Sequence, residues 1–211
     1  GGDGNDILRP LAFGTFLYGG EGEDTIILGN AAHRATVFGD DGNDTITGGP
    51  GSALAVEGAT IYAGLGNDYV SVYAGIIYGG NGDDTIEVRA PSAALWPLSG
   101  TVVGGEGRDI VHATELSQIY TGEGRDSVEL VNGFAPDSQL EGGYWADFDS
   151  RLDTIGIMGY GFDDYGEFIA STDVSIIQSG NNVQISIAGQ ARLTIVNATV
   201  ESLDEDNFYF G

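Results

Sequence analysis

Apolar and polar positions along residues 1–130 fall into one short pattern that returns again and again. An aliphatic residue is followed by an aromatic or aliphatic one, then a glycine-rich polar turn, then a second aliphatic set between polar neighbours. Aligned on G-G-x-G-x-D-x-U-x, with U a large aliphatic, the copies are GGDGNDILR from Gly1, GGEGEDTII from Gly19, GDDGNDTIT from Gly39, AGLGNDYVS from Ala63, GGNGDDTIE from Gly79, GGEGRDIVH from Gly104 and TGEGRDSVE from Thr121. The eighth position is Leu8, Ile26, Ile46, Val70, Ile86, Val111 and Val128. Two residues before each motif from the second onward stand Leu17, Val37, Ile61, Ile77, Val102 and Ile119, and one residue before stand Tyr18, Phe38, Tyr62, Tyr78, Val103 and Tyr120. Strand side chains alternate in direction, so the first of these columns points inward and the mostly aromatic one outward.

Successive copies start 18, 20, 24, 16, 25 and 17 residues apart. A turn plus a short strand uses nine residues, so each period makes a coil of two strands. Two aliphatics per coil contribute about 1.5–3 kcal/mol each if fully buried. That is thin against a backbone ordering cost of roughly 1–2 kcal/mol per residue. Apolar burial alone does not hold such a stack, and something else must hold the turns.

Composition sharpens the point. The chain has 211 residues, 36 of them glycine, with 32 acidic residues against 7 basic ones and a formal charge of -25. All the basic residues are arginine. This balance speaks against nucleic acid, whose binding rests on phosphate neutralisation, and against anionic membrane surfaces. There is no cysteine, hence no disulfide or thiol chemistry. No apolar run approaches the ~18 residues of a membrane-spanning helix, so no membrane insertion is expected. The first residues, GGDGNDILRP, lack the charged and apolar regions of a signal peptide and begin inside a repeat, so the chain reads as a fragment of a longer protein.

The sixth position is aspartate in every copy, Asp6, Asp24, Asp44, Asp68, Asp84, Asp109 and Asp126, and the fourth is always glycine. In GGNGDDTIEV, Asp83 and Asp84 stand side by side in a tight turn with no basic residue before Arg89, so a cation is missing from the sequence itself. Calcium takes six to eight oxygens from carboxylates and backbone carbonyls, and glycines let carbonyls converge. No histidine or cysteine recurs in the motif, which disfavours zinc and copper, and magnesium's rigid octahedron suits an all-protein cage poorly. The fifth position varies among Asn, Glu, Asp and Arg, so it is no required ligand, and Asp83 is expected in solvent.

These seven copies resemble the RTX, or repeats-in-toxin, family of bacterial type I secretion. The resemblance implies an all-β, right-handed parallel β-roll (a β-solenoid) of about seven coils with a C-terminal β-rich cap. It implies calcium held between turns of successive coils by the sixth-position carboxylates and by backbone carbonyls. Candidate carbonyls are those of Gly2, Gly4, Gly19, Gly20, Gly22, Gly39, Gly42, Gly64, Gly66, Gly79, Gly80, Gly82, Gly104, Gly105, Gly107, Gly122 and Gly124. Because the motif comes once per coil, the calcium rail is one-sided, and seven turns enclose about six intervals, hence about six ions. The other edge carries irregular loops. GGYWAD, Gly142 to Asp147, reads as a decayed eighth turn in which Trp145 replaces the fourth glycine and Asp147 supplies the carboxylate.

The domains read as a roll over 1–130 and a cap over 131–211, and from about residue 150 the pattern itself changes. RLDTIGIMGYGF reads as a last strand, and DDYGEFIAST as a short helix with Phe168 and Ile169 on its apolar side. DVSIIQSGNNVQISIAGQARLTIVNATV reads as a hairpin plus a third strand. The ending resembles the family's cap, with Phe208 and Phe210 covering the open end of the roll. The same resemblance implies an uncleaved type I export signal here, the secretion machinery as a partner, and a secreted or cell-surface location.

No catalytic motif emerges. His33 and His112 match no HExxH pattern and are read as solvated, and no G-x-S-x-G elbow occurs. Any catalytic domain is expected upstream. The alternative to a calcium-folded export module is an adhesion, surface-layer or carbohydrate-binding module using the outward aromatic column and the loop bearing Trp96. The seventh position (Ile7, Thr25, Thr45, Tyr69, Thr85, Ile110, Ser127) is too irregular for an ice-binding face, and like-charge repulsion disfavours alginate.

Overall fold

A computed structural model describes residues 1–9, 14–29, 34–48, 59–89, 100–113, 117–133 and 141–211. His33, Trp96 and most of the irregular loops fall outside them. Each period forms two strands. They are β1 (Gly2–Asp3) and β2 (Ile7–Leu8), β3 (Phe16–Glu21) and β4 (Thr25–Leu28), β5 (Thr36–Asp41) and β6 (Thr45–Gly48), β7 (Thr60–Leu65) and β8 (Tyr69–Val72). Then come β9 (Gly75–Asn81) and β10 (Thr85–Val88), β11 (Gly100–Gly107) and β12 (Ile110–His112), β13 (Gln118–Gly124) and β14 (Ser127–Val131), β15 (Glu141–Trp145) and β16 (Thr154–Met158). A helix α1 (Tyr165–Ala170) leads to β17 (Val174–Ser179), β18 (Asn182–Ile187), β19 (Ala191–Ile195) and finally β20 (Phe208–Phe210).

Among the described residues these strands make two sheets. One runs β1-β3-β5-β7-β9-β11-β13-β15-β19-β18-β17, the other β2-β4-β6-β8-β10-β12-β14-β16-β20. From β1 to β16, odd strands pair with odd and even with even in parallel, which is the topology of a β-roll. Pairing crosses residue 130 without a break: β13 pairs with β15 and β14 with β16.

The two inward columns form the core. Leu17, Val37, Ile61, Ile77, Val102 and Ile119 are buried in one sheet, and Ile26, Ile46, Val70, Ile86, Val111 and Val128 in the other. The first column continues into Trp145, which pairs in register with Ile119 and then with Ile195. The second continues into Ile155 and ends on Phe208. The neighbouring column faces out, and its rings stack on one another. Tyr18, Phe38, Tyr62 and Tyr78 have successive centroids 4.9, 5.0 and 4.9 Å apart and planes within 7° of parallel.

Several details correct the sequence reading. GGYWAD is not a turn, because Trp145 is an inward strand residue, fully buried with its indole N–H donated to Thr121 Oγ1 at 3.1 Å. An indole of that size gains more from the core than a turn could offer it. The strand within RLDTIGIMGYGF is β16, and β20 covers it. In α1, Phe168 is buried but Ile169 is 53% exposed, since consecutive helical residues point in different directions. The hairpin and third strand form as read, with β17, β18 and β19 antiparallel. His112 is not solvated. Its side chain is only 16% exposed and lies between Glu129, 2.6 Å from Nε2, and Glu87, 3.7 Å from Nδ1.

Candidate metal centre

Each motif turn is built the same way. The first three positions, or four in the last two motifs, end a strand of the odd-numbered sheet, the chain turns through the sixth, and the seventh begins a strand of the even-numbered sheet. Glycine at the second and fourth positions is dictated by stacking. Gly80 and Gly82 have φ of 120° and 131°, and a Cβ on either would lie 2.0 or 2.1 Å from a carbonyl oxygen of the preceding coil. Only glycine meets both conditions without strain. The third coil departs from the rule with Asp40 at φ 76°, a left-handed conformation aspartate tolerates better than most residues.

The sixth-position aspartates form a continuous column. The backbone N–H of Asp6 donates to Asp24 Oδ1 at 2.7 Å, Asp24 to Asp44 at 2.8 Å, Asp44 to Asp68 at 2.7 Å and Asp68 to Asp84 at 2.8 Å. Asp84 donates to Asp109 and Asp109 to Asp126, each at 2.9 Å. One more step follows, from Asp126 to Asp153 Oδ1 at 3.0 Å. Asp153 lies outside the seven aligned motifs, although Asp-Thr-Ile at 153–155 repeats the Asp-Thr-Ile of 24–26, 44–46 and 84–86. Asp147 does not join the column. Trp145 lies opposite Ile119, so Asp147 falls at the start of its turn, where it is exposed and accepts the N–H groups of Thr121 and Gly122 at 3.0 Å each.

Oδ1 of each column member is thus engaged. The other oxygen is not. Oδ2 of Asp24, Asp44, Asp68, Asp84, Asp109 and Asp126 is buried without a hydrogen-bond partner. Burial pushes the carboxyls of Asp68, Asp84 and Asp109 up to about 7, and those of Asp44 and Asp126 upward as well, against the lowering effect of the accepted N–H. Neighbouring aspartates raise them further. Members of the column sit one strand spacing apart, about 4.8 Å.

The lone oxygens meet backbone oxygens. A Cβ placed on Gly19 would lie 2.3 Å from Asp24 Oδ2 and 2.4 Å from the Gly39 carbonyl, and one on Gly79 would lie 2.3 Å from Asp84 Oδ2 and 2.6 Å from the Gly104 carbonyl. Carboxylate and carbonyl oxygens therefore crowd one side of each first-position glycine, next to the following coil. Among the described residues, no three His, Cys, Asp or Glu side chains gather at one point. The donor set is one carboxylate per coil supplemented by carbonyls, all oxygen and mostly neutral, which suits calcium. Asp83 stays outside this set. It is exposed, and its Oδ1 accepts the Arg108 N–H at 2.9 Å. Asn5, Asn43 and Asn67 do the same for Glu23, Asn67 and Asp83 at 3.0, 2.7 and 3.0 Å, a second ladder that explains the short polar residues at the fifth position.

Residues 16–32, 36–52, 60–76 and 76–89 match the family model of the RTX calcium-binding nonapeptide repeat, in four copies. No curated protein matches the chain significantly. Among solved structures the chain is similar to the extracellular lipase LipA from Serratia marcescens, at 12% identity and a TM-score of 0.34, over 99% of this chain and 39% of the lipase. It is also similar to the AlgE6R3 subunit of the Azotobacter vinelandii mannuronan C5-epimerase, at 17% identity and a TM-score of 0.24, over 99% of this chain and 80% of that one. With the four matched copies lying inside a longer column of aspartates, this chain carries RTX calcium-binding repeats wound into a parallel β-roll.

Proposed function

We propose that the roll folds when it meets extracellular calcium and so supports export and stability of a longer secreted protein. The observation that carries this reading is the column of buried, unpartnered Oδ2 atoms on Asp24, Asp44, Asp68, Asp84, Asp109 and Asp126. Without a cation, burying those oxygens is costly and the like charges repel. With one, the same oxygens become ligands, so binding energy becomes folding energy. Asp6, Asp24, Asp44, Asp68, Asp84, Asp109 and Asp126 would hold the ions together with carbonyls of the glycine turns. Calcium supplies the positive charge that the sequence lacks.

In calcium-poor cytoplasm such a chain stays unfolded, as passage through a type I secretion channel requires. Outside, at the millimolar levels typical of extracellular calcium modules, it folds. Any catalytic activity is assigned to other parts of the parent protein. Circular dichroism in chelator and then in millimolar calcium tests the reading. A fully formed β spectrum in chelator would overturn it, and magnesium at the same concentration should substitute poorly.

Adhesion or carbohydrate binding through the outward aromatic column is less well supported. The rings of Tyr18, Phe38, Tyr62 and Tyr78 stack on one another, so the faces between successive rings are used within the sheet. A sugar platform needs free faces.

A further inference from the structure

The first position of the motif is glycine in five turns, Gly1, Gly19, Gly39, Gly79 and Gly104, and none of them has a left-handed φ. Backbone conformation therefore does not demand glycine there. The oxygens do. A Cβ at these positions would lie 2.1–2.6 Å from the carbonyl of the next coil's first residue and 2.2–2.3 Å from Oδ2 of the turn's own aspartate. Real Cβ atoms essentially never come within 3.0 Å of another heavy atom in this way.

Two turns break the pattern. The fourth has Ala63 and the seventh Thr121, both fully buried. Their second and fourth glycines keep the positive φ of the other turns, 126° and 118° at Gly64 and Gly66, 101° and 155° at Gly122 and Gly124. The backbone thus follows the same path, with a side-chain carbon placed where the other turns have two oxygens within 2.6 Å of the vacant Cβ position. At Thr121 the hydroxyl accepts the Trp145 indole N–H, and Asp126 Oδ2 stays buried without a hydrogen-bond partner. At Ala63 the methyl offers no donor, and Asp68 Oδ2 is left buried and unpartnered.

Resting on the calcium reading above, we infer that Ala63 and Thr121 divide the calcium column, weakening the sites of Asp68 and Asp126 and leaving two blocks of tight sites, one around Asp6, Asp24 and Asp44, the other around Asp84 and Asp109. The fourth and seventh turns are then the last to fill as calcium rises. The chain responds in two steps instead of one, with the block boundary inside the roll.

Counting bound ions by native mass spectrometry and isothermal titration, with calcium added to chelator-treated chain, tests this. Ala63→Gly should add one tightly held ion, or move one ion from the weak to the tight class, and Thr121→Gly should do the same at the other boundary. Gly79→Ala should remove one tight ion. If the unchanged chain and all three variants bind equal numbers of ions with equal affinities, the inference is wrong while the calcium reading stands. If none binds calcium, the calcium reading itself has failed. Should Gly79→Ala not fold in calcium, Ala63→Gly decides alone, because removing a methyl leaves the unchanged backbone path open.

Discussion

Asp84 Oδ1 accepts the backbone N–H of Asp68 at 2.8 Å, while its Oδ2 is buried with no partner. One side chain therefore does two different jobs: it ties its coil to the one before, and it presents a lone oxygen beside the Gly104 carbonyl of the one after. Asp6 is only half-buried, and among the described residues no backbone N–H is seen to donate to its carboxylate.

Asp84→Ala is therefore expected to damage the calcium-loaded roll more than Asp6→Ala. The first change strands the buried Asp68 N–H, worth about 1–3 kcal/mol, and also removes a ligand from the middle of a stack in which each coil supports two neighbours. Thermal melts of both variants at a fixed calcium concentration decide the matter. Equal losses would count against a stacked column.

Much of this arrangement was legible because period and chemistry agree. Glycine, aspartate and aliphatic positions recur at fixed offsets, and each offset has one physical job, so Ile77 and Ile86 could be placed inward and Tyr78 outward from alternation alone. What stayed hidden lies where the offset fails. Asp153 closes the column, but its turn is longer than the motif, and Gly142-Gly143 imitates the start of a motif that would end on Asp147. The letters before Trp145 imitate the motif and suggest a turn, whereas its size commits it to the core. The surroundings of His112 were invisible because Glu87 and Glu129 are its neighbours only across parallel strands, 25 and 17 residues away in sequence.

His112 sets a pH dependence. Burial works against its charged form, but hydrogen bonds to Glu129 and Glu87 prevail and hold its pKa at about 9, above the ordinary 6.5. Glu87 is likewise held at about 2: burial raises it, but His112, Arg89 and Ser71 outweigh that. The histidine's contribution is complete below pH 6.5 and is lost as pH rises through about 9; that of Glu87 is complete above 4.5 and is lost as pH falls through about 2. Each pKa unit is worth about 1.4 kcal/mol, so the histidine supplies at most roughly 3 kcal/mol, and about 1–2 after solvent screening. In saturating calcium the unfolding midpoint should drop between pH 6.5 and 9, and His112→Gln should flatten that slope. An unchanged slope would show that the histidine is not charged in the roll.

Phe38 stacks between Tyr18 and Tyr62, with centroids 4.9 and 5.0 Å away. Phe38→Ala interrupts the ladder on both sides and should cost about 1–2 kcal/mol in calcium-loaded stability. Retention on polysaccharide gels should not change. Weaker retention with unaltered stability would instead favour a binding role for this column.

The end of the chain is the final case. Phe208 continues the inward column of the even-numbered sheet, in register with Ile155, and its ring lies 5.5 Å from Phe168 and 5.2 Å from Tyr165. Asn207 donates from Nδ2 to the carbonyls of Ser150 at 2.8 Å and Asp153 at 3.2 Å, which braces the turn that closes the aspartate column. Tyr209 points the other way, its hydroxyl 2.7 Å from Ser127 Oγ and bonded to Glu129. Deleting residues 207–211 would bare the edge of β16, uncover Phe168 and release the Asp153 turn. Calcium should then fold the shortened chain at higher concentration and with a shallower transition, because the last coils lose a neighbour on which their cooperativity depends. If this segment were only an export address, the calcium midpoint in vitro would be the same with and without it, and only export would suffer. Calcium titrations of the two chains, followed by circular dichroism, separate these outcomes, and an unmoved midpoint would remove β20 from any part in holding the roll.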